Sequence, residues 1–186
     1  ESVIFIDSDK FSNSSSGALI DESQTVIDAI IGFANYDIGH TFSTGGGGLA
    51  ALNSPCTGSK ARGITGSGYP VGDSYDVDYV AHEIGHQFGA PHTFNGNTGN
   101  CAGGNRSASN AYEPGSGSTI MAYAGICAPQ NIQPNSDAYF HQKSLQMMWN
   151  NISNGNSNCA TQTATGNAAP TSNAGNDYNI PASTPY

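Results

Sequence analysis

Eleven consecutive residues constrain this chain more tightly than any other stretch of it: His82-Glu83-Ile84-Gly85-His86-Gln87-Phe88-Gly89-Ala90-Pro91-His92. They spell H-E-x-x-H-x-x-G-x-x-H in a chain of 186 residues that has only five histidines. Residues four apart on an α-helix share a face, so His82 and His86 can point at one ion. A histidine six residues further on would point away if the helix continued. Gly89, lacking a Cβ, can take positive φ and end the helix. Pro91 cannot resume it, and the chain is free to bring His92 back to the other two. Three neutral imidazoles leave one position of a tetrahedral zinc ion open, the arrangement of catalytic rather than structural sites.

Glu83 follows the first of these histidines and is expected beside that open position. Zinc lowers the pKa of bound water to about 7, and a carboxylate alongside can take the proton and later pass it to a leaving amine. Glu83 is therefore the candidate general base and acid. An isolated i, i+4 histidine pair is ordinary on a helix, and Gly89 and Pro91 alone make an ordinary helix stop. It is the five fixed positions together that point to metal. A zinc-binding domain without activity is the nearer alternative, against which the presence of Glu83 argues.

The motif and the later segment Ser118-Thr119-Ile120-Met121-Ala122-Tyr123 together resemble metzincin metalloproteases. By that resemblance the second segment is the Met-turn, with Met121 a hydrophobic floor under the imidazoles and not a ligand. Tyr123, two residues on, matches the astacin and serralysin branches, where a tyrosine can bind zinc at rest and then stabilise the oxyanion. A tyrosine packed in the cleft wall is an equal alternative. Residues 36–42, 47–52 and 60–65 are similar to strands of the reprolysin (adamalysin-like) branch in its bacterial secreted form, a likeness spanning roughly residues 2–159. Thr93 stands where animal reprolysins carry Asp.

The resemblance implies an α+β catalytic domain over residues 1–159. Its parts are a twisted mixed sheet with an antiparallel edge strand, a long packing helix, the zinc helix, the Met-turn and a C-terminal helix. The family's first strand and helix are expected to be missing, with residues 2–6 as the second strand. Gly48, Leu49 and Ala50 fall on the edge strand, whose open N–H and C=O groups can add an extended substrate as one more strand. The segment after Met121 walls the pocket for the residue following the cleaved bond. With four cysteines and no CxxC pair, two disulfides in an oxidising compartment are expected. Three connectivities are open from sequence alone; the resemblance selects Cys56 with Cys159 and Cys101 with Cys127.

Periodicity places an amphipathic helix over residues 21–36, through Val26, Ile27, Ile30, Ile31 and Phe33. The zinc helix is predicted over 76–89, buried through Val77, Val80, Ala81, Ile84 and Phe88. A final helix is predicted over 137–152, capped by Ser136, with Tyr139, Phe140, Leu145, Met148 and Trp149 in the core and His141 structural or exposed. Residues 95–118 form a long loop. Gly45 and Gly46 are assigned a flexible turn. Residues 160–186 have linker composition and are expected to lead toward a downstream module.

A net charge of −9 with five Lys and Arg argues against nucleic acid and anionic membranes as partners. No run reaches the ~20 apolar residues of a membrane span, and with no signal peptide among these residues the chain is expected to be a mature fragment of a secreted precursor. Scarce arginine and abundant glycine fit cold adaptation. Asp73, Asp76 and Asp78 could hold calcium or simply favour a helix start. The resulting expectation is a secreted, monomeric zinc endopeptidase acting on extended protein or peptide substrates. The alternatives are a non-catalytic zinc-stabilised peptide-binding or adhesion module, and a thermolysin-like site in which His92 is not a ligand.

Overall fold

A computed structural model describes residues 10–182; the strand expected over residues 2–6 lies outside the described residues. The fold is mixed α+β. Strands β1 (Thr41–Ser43), β2 (Gly47–Ala50) and β3 (Gly63–Gly66) form one sheet in the order β1-β3-β2. β1 runs parallel to β3, and β2 runs antiparallel to it, with Gly48 opposite Thr65 and Leu49 opposite Ile64. β3 is buried along its whole length, whereas β2 alternates between exposed and half-buried. The antiparallel edge strand is thus present, shifted toward its glycines, and Leu52 lies beyond it on the surface.

Helix α1 (Ser16–Ile27) begins five residues before the predicted start at 21, because the Ser15 hydroxyl caps it by accepting the Ala18 N–H. Leu19 and Ile20 pack on Ile64 of the sheet. A π-turn (Asp28–Gly32) then replaces the α-helix, and Gly32 at φ 87° ends the run before a short 3-10 turn (Phe33–Asn35). A π-turn adds a residue per turn, so the spacing that would have kept Ile30 and Phe33 on the sheet is lost and both are exposed. The Lys60 ammonium closes this end. It donates to the Phe33 and Tyr36 carbonyls and lies 3.9 Å from the Phe33 ring centroid.

The zinc-motif helix is assembled from α2 (Asp73–Tyr75), a π segment (Asp76–Ala81) and α3 (His82–Gln87). Its contact with the sheet is largely polar. Gln87 is fully buried, accepts from His40 Nδ1 at 2.7 Å and donates to the Gly39 carbonyl at 3.0 Å. His40 Nε2 in turn accepts from Thr65 Oγ1 at 2.8 Å. Burial lowers the His40 pKa, which keeps the ring in the neutral form these bonds require. A buried network whose members are all satisfied can hold a helix to a sheet without large apolar side chains.

The last helix, α4 (Gln142–Asn154), starts five residues later than predicted. Residues 137–141 cannot join it because their backbone serves the Met-turn: the Asp137 N–H donates to Ser118 O and the Ile120 N–H to Tyr139 O. The cap is therefore His141, whose Nδ1 accepts the Lys143 N–H, and not Ser136. Phe140 and Met148 pack against Ile120 and Met121 as expected. Tyr139, Leu145 and Trp149 are not core residues; all three are more than half exposed, Trp149 at 67%.

Two disulfides close the fold in the pairing implied by the resemblance, Cys56–Cys159 with Cα atoms 5.7 Å apart and Cys101–Cys127 at 5.3 Å. The loop over 95–118 contains three 3-10 turns and a parallel bridge from Phe94 to Glu113. Gly45 is more than a flexible turn residue, since a Cβ there would run into the Asn13 carbonyl; Gly46 faces open space. Among the described residues no helix is long and apolar enough to cross a membrane.

Candidate metal centre

His82 and His86 lie one turn apart on α3. The Gly89 N–H closes the last turn on His86 O at 2.8 Å, and Gly89 then takes φ 102°, the reversal that the motif needs. The returning segment is fixed by Thr93, whose N–H donates to Met121 O at 3.1 Å. His92 is thereby delivered to the other two rings. Its Nε2 lies 3.1 Å from His82 Nε2 and 3.0 Å from His86 Nε2.

Every Nδ1 of the trio is held by a backbone carbonyl: His82 by Ile120 O at 2.7 Å, His86 by Ala90 O at 2.7 Å and His92 by Asn105 O at 2.6 Å. A carbonyl only accepts, so each Nδ1 carries the proton and each Nε2 presents a lone pair to the common point. Second-shell bonds of this kind orient metal-binding imidazoles. Burial, then repulsion from neighbouring rings, keeps His82 well below its ordinary pKa and pushes His86 down to about 3; burial likewise lowers His92. Neutral nitrogens converging on one point fit a zinc ion.

Among the described residues this trio is the one group of three or more potential ligands close enough to share an ion. Asp73, Asp76 and Asp78 do not gather, and calcium finds no support there. The π segment between Asp76 and Ala81 breaks the α-helical spacing on which convergence of the three would depend.

Glu83 is buried and its carboxyl is pushed up to about 8 by desolvation. A Cβ on Gly48 would overlap its carboxylate, so the edge strand passes in direct contact with it. Two cavities meet at Gly48, Glu83 and Tyr123. One of about 450 Å³ runs along Gly48, Leu49 and Ala50 to His86 and His92. The other, about 470 Å³, opens between the zinc helix and the segment after Met121.

Met121 is fully buried, and a Cβ on Gly85 would stand 2.5 Å from its sulfur. Met121 is thus packed directly against α3. The Tyr123 ring lies edge-on to His92, with centroids 4.5 Å apart, and tilted against Phe94 at 4.7 Å.

The family model described as metallo-peptidase family M12B, reprolysin-like, matches residues 2–151. The chain belongs to the reprolysin-like M12B metallopeptidases. Comparison with curated proteins and with solved structures gave no match. Reprolysin-like peptidases are zinc-dependent, and this member carries a histidine trio whose ligand atoms lie close enough together to hold such an ion.

One residue of this reprolysin-like centre escaped the sequence reasoning. Glu113, buried in the long loop, accepts from Thr93 Oγ1 and Thr119 Oγ1, each at 2.5 Å, and from the Ser118 and Thr119 N–H groups at 2.8 and 3.0 Å. It ties the residue after His92 to the start of the Met-turn. Burial alone would raise its carboxyl, but the four hydrogen bonds outweigh burial and hold it below the ordinary carboxylate range. The sequence did carry a signal: between residues 95 and 118, Glu113 is the one acid and Arg106 the one base.

Proposed function

We propose that this protein is a secreted zinc endopeptidase that hydrolyses internal bonds of extended protein substrates. The observation that carries the reading is the convergence of three neutral Nε2 atoms, that of His92 lying 3.1 Å from His82 and 3.0 Å from His86, beside the buried carboxyl of Glu83. His82, His86 and His92 would hold the metal. Zinc supplies there a Lewis acid that polarises the peptide carbonyl and acidifies water.

The chain's own residues do the rest. The Glu83 carboxyl, its ionised form favoured by a divalent cation held by the histidines, accepts the proton of the attacking water and delivers it to the leaving amine nitrogen. The open edge of β2, through Gly48, Leu49 and Ala50, pairs with the substrate backbone and sets the bond against Glu83. Tyr123, raised to about 12 by burial and by the Glu83 charge, keeps its hydroxyl proton at neutral pH and can donate it to the developing oxyanion. The two disulfides support folding in an oxidising, extracellular setting.

The experiment is casein cleavage by the zinc-loaded protein and by Glu83→Ala with its zinc content measured. Loss of cleavage with zinc retained is the expected result. If the zinc-loaded wild type cuts nothing yet still binds peptide, the non-catalytic peptide-binding alternative takes its place.

A further inference from the structure

We propose that the cavity between the zinc helix and the segment after Met121 receives a basic side chain, lysine or arginine, and that Asp78 is its counter-charge. This makes Asp78 the specificity residue for the position following the cleaved bond. The inference rests on the peptidase reading above and adds a substrate class to it.

The cavity shares Glu83 and Tyr123 with the catalytic region, and its volume of about 470 Å³ can hold a long side chain. Tyr75 and Tyr79 of the helical run, Tyr69 before it, and Ile126 opposite line its walls. Such rings offer their faces to a cation, and the aliphatic stem of lysine or arginine can lie along the same surfaces. Asp78 stands four residues before His82 on that helical run and lines the same cavity.

The Asp78 carboxylate is positioned rather than loose. One oxygen, Oδ1, accepts the Ser136 N–H at 2.8 Å from the opposite wall. Among the described residues nothing hydrogen-bonds the second oxygen, and none of the five lysines and arginines lines the cavity. A half-buried carboxylate with one acceptor satisfied and no protein cation at hand is a site for a charged donor from the substrate. Asp73 and Asp76 flank it at the start of the helical run, and the net charge of −9 adds a field of the same sign. An acidic side chain would meet two carboxylates here, Asp78 and Glu83.

A purely structural Asp78 would do no more than tether residue 136 to the helix. An asparagine keeps the oxygen that accepts the Ser136 N–H and removes only the charge, so Asp78→Asn separates the two roles. The test uses internally quenched peptides identical except for Lys, Arg, Leu or Glu after the cleaved bond, with cleavage sites verified by mass spectrometry. The zinc-loaded wild type is expected to favour Lys and Arg over Leu about tenfold in kcat/KM, the scale of one charge-assisted hydrogen bond, and to cut the Glu peptide least. In Asp78→Asn the ratio of basic to leucine cleavage should fall toward one. The leucine peptide is the internal reference, so a general loss of folded protein cancels from the ratio. A wild type that favours Leu overturns the assignment, as does an Asp78→Asn protein that keeps the basic preference. Either result leaves the peptidase reading standing. Failure of the zinc-loaded wild type to cleave any of the four peptides or casein removes both.

Discussion

Gly85 of the zinc helix and Met121 of the Met-turn are packed so closely that a single added methyl group has no room: a Cβ at Gly85 would stand 2.5 Å from the Met121 sulfur and 3.0 Å from the Phe140 ring. Ordinary helix propensity favours Gly85→Ala by about 1 kcal/mol. Overpacking a closed core costs about 1 to 3 kcal/mol, and the Phe140 ring limits how far the methionine can retreat. Packing should win. Gly85→Ala is expected to lose about 1 kcal/mol net and to melt a few degrees lower in zinc, on the order of 2 to 4 °C per kcal/mol for a chain this size. A melting temperature at or above that of the wild type in differential scanning calorimetry would contradict the contact.

The second prediction concerns Gly48, whose neighbour is the Glu83 carboxyl, the proposed general base. A side chain here would occupy the space now held by the Glu83 carboxylate. Glu83 has a flexible stem and can swing aside, so folding should suffer little, whereas a displaced general base is costly. Misplacement by about 1 Å can cost roughly a hundredfold in rate. Gly48→Val should therefore cut peptides at least about tenfold more slowly in kcat while binding zinc at unchanged stoichiometry. A kcat within twofold of wild type would mean that the edge strand does not press on Glu83.

Much of this was legible in the sequence, and the reasons are local. The H-E-x-x-H-x-x-G-x-x-H run fixed the helix face, the break at Gly89 and the return of His92, because each depends on covalent geometry within eleven residues. Boundaries failed where a tertiary contact competed with periodicity. The 137–141 stretch has helical spacing, yet its backbone is committed to Ser118 and Ile120. Ile30 and Phe33 lost their place to a π-turn, which leaves no signature in a 3.6-residue pattern. Asn105 and Ala90 hold two imidazoles of the trio through their carbonyls, a role independent of side-chain identity and so invisible to any motif. Glu113 acts across twenty residues of loop, where spacing says nothing about proximity.

Glu113 is expected to contribute to the acid limit of the fold. Its carboxyl lies below the ordinary range in the folded state despite burial, owing to its four hydrogen bonds. A depressed folded pKa means stability that is fully present above the unfolded pKa, about 4.3, and is lost as pH falls through the folded value. Melting temperature should therefore drop as pH is lowered below about 4.3, and Glu113→Gln should flatten part of that drop. At neutral pH the same substitution turns an amide donor toward a ring of donors. The cost of leaving such groups unpaired is about 1 to 3 kcal/mol, read by urea denaturation at pH 7. An unchanged acid limb in Glu113→Gln would assign the acid sensitivity to other carboxylates.

The histidine trio predicts how the protein answers metal removal. With each Nδ1 proton held by a carbonyl, the His92 Nε2 lone pair faces those of His82 and His86 at 3.1 and 3.0 Å. Burial opposes relief by protonation, since His86 is pushed down to about 3 and His82 is held far below its ordinary value. Only a bound cation makes this geometry favourable, so zinc should bind the folded chain much more tightly than the unfolded one. Free zinc at a hundred times Kd then adds about 2.7 kcal/mol, a shift on the order of 5 to 10 °C for a chain of this size. Chelation should lower the melting temperature by that amount, and one equivalent of zinc should restore it. His92→Ala should abolish the zinc-dependent part of the shift. If His92→Ala kept the full shift, the third ligand would have to be sought elsewhere, as in a thermolysin-like site.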